Sequence, residues 1–396
     1  MRIYTCTPRD FPEDRNFFNR DSGLFCRGLE VIGVESRAIG GGERRAGDHK
    51  DLIRASLKEL ESTTWWERHH LDGLILYSWA APEFNGVARA IRDAGIPFLV
   101  VMDTCGMISR FTSPRDWWRE GHVRKLAGKR GILEYVIKGA EWLGGGLLSR
   151  VPRRRIDHYD AATRVAVVTP LGSIWVPGEA RAFGRDDLVE RFCYLPHPQP
   201  EWFFYDGTPK ENLVISVGRW RRRDWKQKNP GVLVPALKAF LERRPDWSAM
   251  IVGADAEELA PALGMDPGSL PERLRFRNAI PQQELVALYR RAKIGFWTSR
   301  WEGQQGTGAQ ALCCGCSVVG PFSASMSCFR HYVSKGSGRL ARWNEPAAMS
   351  DELHLEAEAW ESGDRDPDGI GRMWTREFHS PEVARRAVML LGLDRM

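Results

Sequence analysis

The sequence predicts an α/β protein built of two doubly wound domains, each around a parallel sheet. Three observations carry this. Short apolar runs rich in β-branched residues recur along the chain, with helical patterns between them. The chain has 396 residues, a length that suits two or three domains. The stretch 195–212, LPHPQPEWFFYDGTPKEN, holds four prolines and separates two sets of such runs.

The first set comprises 2–6, 73–78, 97–102 and 164–168. The second comprises 212–217, 247–252, 293–298 and 316–319. Near-continuous apolar character over so few residues predicts strands buried on both faces, as in a parallel sheet. Leu285, Leu288, Tyr289 and Ala292 repeat at i, i+3, i+4, i+7 and predict a helix over 282–292. Asn229-Pro230 reads as an N-cap followed by proline at the first helical position. Leu233, Leu237, Phe240 and Leu241 then form one face, and Pro235 is expected to kink that helix. The domains predicted are 1–200 and 210–373.

Composition bounds the class. Hydrophobic residues make up 43%, charged residues 27%, and the formal net charge is +6. These globular values exclude a disordered, collagenous or disulfide-framework chain. Of the eight cysteines, three crowd into Cys313-Cys314-Gly315-Cys316. Without a second ligand pair that spacing fits helix packing better than zinc, and no metal site is expected. His69, His70 and His197 have no metal-ligand spacing either. The N-terminus MRIYTCTPRDFPEDRNF has no secretory pattern, and no apolar run approaches a membrane span. A cytoplasmic setting, with possible peripheral contact to a membrane's inner face, is the expectation.

Two loops carry the candidate chemistry. One follows the strand 212–217: Gly218-Arg219, then the basic run Arg221-Arg222-Arg223-Asp224-Trp225-Lys226-Gln227-Lys228, then a helix start. Ligands of open parallel sheets bind at the carboxyl ends of strands. Fixed cations beside a helix N-terminus suit a phosphate there; with no ligand they are solvated surface charges. The other loop follows 293–298 and reads TSRWEGQQGTGAQ over 298–310. Its glycines, Gly303, Gly306 and Gly308, allow close backbone approach to a ligand. Glu302 stands before them, where a carboxylate can accept hydrogen bonds from sugar hydroxyls. The bland alternative is a glycine-rich turn with an incidental acid. The loop lacks GxGxxG, which weighs against a dinucleotide dehydrogenase.

In order, ISVGR, the basic loop ending in KN, Val252-Gly253 and ELVALYRRAKIGFWTSRWEGQQGTGAQALCCGCSVVG resemble the nucleotide-sugar half of a GT-B glycosyltransferase. The retaining group called glycosyltransferase family 4 is the most similar, over about 213–320. The resemblance implies two Rossmann-like domains facing across a cleft, with helices of 374–396 crossing back to the first. It implies that Arg219 and Lys228, with Lys226 as a rival, neutralise a donor diphosphate without a metal. Glu302 would hold the donor sugar; its family partner, a second glutamate on the ribose, falls on Gln310. Gly218 and the backbone of Gly303, Gln304, Gln305, Gly306 and Thr307 would meet sugar and phosphates. Asn278 and Ile280 would meet the base. Gly23, in Asp21-Ser22-Gly23, resembles the loop that contacts the donor phosphate from the other domain; a plain helix cap is the rival. Asp103 stands near the position of an active-site histidine in many relatives.

The activity implied is transfer of a hexose or deoxyhexose, with retention, from a UDP, GDP or TDP sugar to an acceptor hydroxyl in polysaccharide, glycolipid or other glycoconjugate synthesis. No bound cofactor is implied. The alternatives are a non-catalytic nucleotide-sugar-binding subunit, or an epimerase or phosphorylase on the same fold. Residues 115–155 carry eleven Lys/Arg against four Asp/Glu, interleaved with Trp117, Trp118 and Trp142. Such a block, Arg115 to Arg155, suits an anionic membrane surface or acceptor; a solvated helical face is equally consistent. Nucleic acid is not an expected partner.

Overall fold

The computed structural model describes residues 1–11, 17–102, 150–323, 326–334 and 336–394. Two compact units divide the chain: Met1–Pro200 with Glu377–Met396, and Glu201–Arg376. Asp103 and most of the basic block lie outside the described residues. No helix among the described residues is long and apolar enough to cross a membrane.

In the first unit, β1 (Ile3–Asp10), β2 (Ala38–Gly41), β3 (Leu52–Ala55), β4 (Gly73–Leu76), β5 (Phe98–Met102), β6 (Arg164–Val167) and β7 (Phe192–Tyr194) form one sheet. Its order is β3-β2-β1-β4-β5-β6-β7, and every pairing is parallel. In the second unit, β8 (Glu211–Val217), β9 (Ser248–Val252), β10 (Leu274–Arg277), β11 (Ala292–Phe296), β12 (Ser317–Pro321) and β13 (Gly338–Ala341) are ordered β10-β9-β8-β11-β12-β13, again all parallel. Each order reverses beside its first strand, so each sheet has a topological switch point. The second lies between β8 and β11.

The apolar-run pattern misses five strands. Four of them, β3, β7, β10 and β13, are sheet edges. An edge strand needs no continuous apolar run, and Arg54, Arg275, Arg277 and Arg339 sit in three of these. The fifth, β2, reads AIGG and carries little side-chain signal.

Helices cover the sheets. In the first unit the helix Asp21–Val31 lies against Ser380–Leu390, sharing a core with Ile3, Ile75 and Leu99 through Phe25, Leu29, Val383 and Ala387. Gly28 is required at their contact, because a Cβ there would lie 2.4 Å from the Ser380 carbonyl oxygen. In the second unit the helix Pro230–Arg243 runs through Pro235 and buries Leu233, Leu237, Phe240 and Leu241 against Ile251, Ile294 and Phe296.

The turn after β4 is strained. Trp79 and Ala80 both adopt left-handed backbone, with φ of 54° and 48°, at about 1–2 kcal/mol each. A buried hydrogen-bond chain anchors it. Ser78 Oγ lies 2.7 Å from His158 Nε2, His158 Nδ1 lies 3.0 Å from Asn85 Oδ1, and Asn85 Nδ2 donates to the Arg154 carbonyl at 2.8 Å. With its amide nitrogen so engaged, Asn85 accepts from Nδ1–H, and Nε2 accepts from the Ser78 hydroxyl. The order resembles a nucleophile with its base, but Ser78 and His158 have no exposed surface. The chain is therefore an anchor.

Burial pushes His158 down to about 4, against about 6.5 for a solvated imidazole. Between those values the unfolded chain takes up the proton and the folded chain does not. The neutral histidine's contribution is thus complete above pH 6.5 and is lost as pH falls toward 4, by about 3 kcal/mol. His158→Gln should flatten this stretch of the profile. Melting curves of both proteins between pH 4 and 7 check this, and parallel profiles would refute it.

Candidate functional site

The site is built where β8 and β11 end. Beyond β8 the Gly218 N–H donates to the Val252 carbonyl at 3.0 Å, tying the ends of β8 and β9 together. Gly253, at φ 133°, passes so close that a Cβ on it would lie 1.8 Å from the Gly218 carbonyl oxygen, so only glycine fits. Trp220 is buried and donates its indole N–H to the Val252 carbonyl at 3.0 Å. Its neighbour Arg219 is exposed, as are Arg221, Arg222, Arg223 and Lys226. A short helix, Trp225–Lys228, follows, and left-handed Asn229 (φ 54°) turns the chain into Pro230–Arg243.

The loop beyond β11 is laced to this one. Trp297 donates its indole N–H to the Val217 carbonyl at 2.9 Å. Thr298 Oγ1 donates to the carbonyls of Lys228 and Asn229 at 3.2 and 3.1 Å. The Arg300 N–H donates to the Gln227 carbonyl at 2.8 Å, and Arg300 Nη2 donates to Asn229 Oδ1 at 2.6 Å. At the centre Lys228 Nζ forms an ion pair with Glu302 Oε1, with side chains only 8% and 9% exposed. Gln227 Nε2 donates to the other carboxylate oxygen and to the Trp301 carbonyl, both at 3.1 Å. Thr307 Oγ1 reaches the Val217 carbonyl at 3.3 Å. The helix Gly306–Cys313 starts here, and Tyr332 OH donates to the Gln305 carbonyl at 2.9 Å.

Of the residues predicted from sequence, Gly218, Lys228, Glu302 and Thr307 are gathered at this junction, with Arg219 beside Gly218. Lys228 is buried where Lys226 is exposed. Gly303, Gln304, Gly306 and Gln310 are half-buried. The Gln310 side chain makes no hydrogen bond among the described residues. Gln305 is buried, and its Nε2 has no hydrogen-bond partner among the described residues, a costly state for an N–H donor. Asn278 and Ile280 lie past β10, two strands away from β8. There Asn278 Nδ2 donates to Glu257 Oε2 at 2.9 Å and its N–H to Oε1 at 3.2 Å. Gly23 belongs to the first unit, buried where a Cβ would sit 2.4 Å from the Phe17 carbonyl oxygen. Cys316 is buried, its Sγ 3.0 and 3.2 Å from the carbonyls of Tyr289 and Ala292.

Sequence reasoning passed over Gln227, Asn229, Thr298 and Arg300 as working parts. Gln227 and Asn229 flank Lys228, and that adjacency is the signal that could have found them. Chemically, the junction offers a carboxylate oriented by two donors, a glycine-rich turn, an ammonium with donors to spare, and an exposed cationic loop. That set suits a ligand carrying both hydroxyls and phosphates.

Comparison with known proteins agrees in kind. Residues 211–354 match the family described as glycosyl transferases group 1. A D-inositol 3-phosphate glycosyltransferase of Corynebacterium efficiens is 29% identical over 214 residues, covering 50% of this chain and 44% of that protein. Its counterpart in Corynebacterium aurimucosum is 25% identical over 238 residues, 56% of this chain and 49% of that protein. The chain thus spans about half the length of these relatives. Anabaena HepE, solved in complex with UDP, superposes with a TM-score of 0.64 at 12% identity, covering 99% of this chain and 100% of that one. A glycosyltransferase from Rickettsia africae gives 0.63 at 11%, covering 99% and 98%. At such identities the structural likeness speaks for the fold. The chain has the GT-B fold of glycosyltransferases, and its second unit carries the match to glycosyl transferases group 1.

Proposed function

We propose that this protein transfers a sugar from a nucleotide-diphosphate sugar to an acceptor hydroxyl, with retention at the anomeric carbon and without a metal. The observation that carries the reading is the buried Lys228–Glu302 pair, formed by the two loops that leave the second sheet at its switch point. HepE was solved with UDP, and a uracil, guanine or thymine nucleotide is the donor class proposed here. Glu302 is oriented to accept from donor-sugar hydroxyls. Arg219 and the free donors of Lys228 meet the diphosphate, where negative charge grows as the sugar leaves. In a front-face reaction the departing phosphate oxygen takes the acceptor's proton, so no strong protein base is needed. The corynebacterial relatives are named for an inositol phosphate, and a small polyol or glycan hydroxyl is the acceptor class. The basic block 115–155 would serve an anionic acceptor or membrane surface. Gln310, in place of a carboxylate, favours a second reading, a binding subunit without turnover.

The test begins with thermal shift against UDP, GDP, TDP and ADP sugars, since a ligand of the native state raises the melting point. The stabilising donor is then offered with candidate acceptors in excess chelator. Product with the donor's anomeric configuration by NMR is expected. An inverted product, or turnover only with added metal, overturns the mechanism. Binding without turnover favours the subunit reading.

A further inference from the structure

Arg300 is a half-buried cation without a counter-charge. Among the described residues it forms no ion pair, and its guanidinium meets only the neutral Asn229 Oδ1, at 2.6 Å. A charge taken out of water normally persists only when paired. Burial pushes the guanidinium below its usual value, which marks how poorly the surroundings compensate it. The location deepens the problem. Asn229 holds the N-cap position of the helix Pro230–Arg243 without a side-chain cap bond, and the positive end of that helix repels a cation. The nearby carboxylate, Glu302, is already engaged by Lys228 and Gln227. A second observation stands beside it: among the described residues the buried Gln305 Nε2, in the same loop, lacks an acceptor. Among the described residues, the loop that leaves β11 thus holds a half-buried cation without a counter-charge and a buried side-chain N–H group without an acceptor.

We infer that Arg300 is an anion-binding residue that takes a phosphate of the donor's diphosphate, a third cation beside Arg219 and Lys228. This rests on the donor reading above and adds a residue to it. The guanidinium supplies a planar fork that matches two phosphate oxygens. Asn229 keeps that fork in place, itself held by its left-handed backbone and by Thr298.

The test uses the full chain and two changes, Arg300→Met and Arg300→Lys. Calorimetry measures binding of UDP, GDP, TDP, ADP and inorganic pyrophosphate, and melting without ligand is recorded alongside. Arg300→Met should weaken both the preferred nucleotide and pyrophosphate by about tenfold to a hundredfold, the scale of a charged hydrogen bond. Its unliganded melting point should hold or rise, because a half-buried charge without a counter-charge is gone. Arg300→Lys should bind with intermediate affinity. Unchanged affinity in the Met variant overturns the inference, and a lowered melting point with unchanged affinity makes Arg300 structural. A wild-type chain that binds pyrophosphate but no nucleotide, with Arg300→Met weakening the pyrophosphate, overturns the donor reading and leaves Arg300 an anion site. A chain that binds neither overturns both.

Discussion

Replacing Lys228 with methionine is expected to destabilise the second unit by about 3–5 kcal/mol and to abolish transfer. The stability loss follows from burial. Lys228 and Glu302 are over nine-tenths shielded from water, so removing the cation strands a carboxylate whose remaining side-chain donor is Gln227. Breaking one side of a buried pair carries that cost, whereas replacing both partners by apolar groups is much milder. Lys228→Met with Glu302→Leu should therefore recover much of the melting temperature and none of the activity. A double-mutant cycle in urea, with coupling well above 1 kcal/mol, checks the pair. Additive effects would show that the two side chains act separately.

Arg219→Ala is expected to lower kcat/KM by about tenfold to a thousandfold, the scale of losing one charged transition-state contact. Here the fold should be untouched. Arg219 is exposed and leaves no buried partner behind among the described residues, so the variant's melting point should stay near that of the wild type. The two cations that the resemblance treats as one clamp thus separate: one fails by activity alone, the other by stability as well. Steady-state kinetics beside thermal melts distinguish them. Full activity in a folded Arg219→Ala protein would remove it from the donor site.

Much of this was legible in the sequence. Every interior strand except the glycine-ended β2 announced itself as an apolar run, because a parallel strand buried on both faces favours apolar side chains. The loops beyond β8 and β11 were legible too, because Gly218-Arg219 directly follows one run and Glu302-Gly303 stands a few residues past the other. The edge strands were not, since an edge tolerates arginine and gives no run to read. Nor was the engagement between loops. Lys228 and Glu302 lie 74 positions apart, and Arg300 and Asn229 lie 71 apart. Nothing in either segment alone says which charge is paired and which is left over. Likewise, the Ser78–His158–Asn85 chain spans segments 80 and 73 residues apart. By itself the sequence determined the apolar interior strands, β2 apart, and the residue types at their ends, because local composition answers to burial. Pairing and exposure were decided only by the tertiary structure, because a charge's cost depends on the neighbours that replace water around it, and sheet order β10-β9-β8-β11-β12-β13 chooses those neighbours.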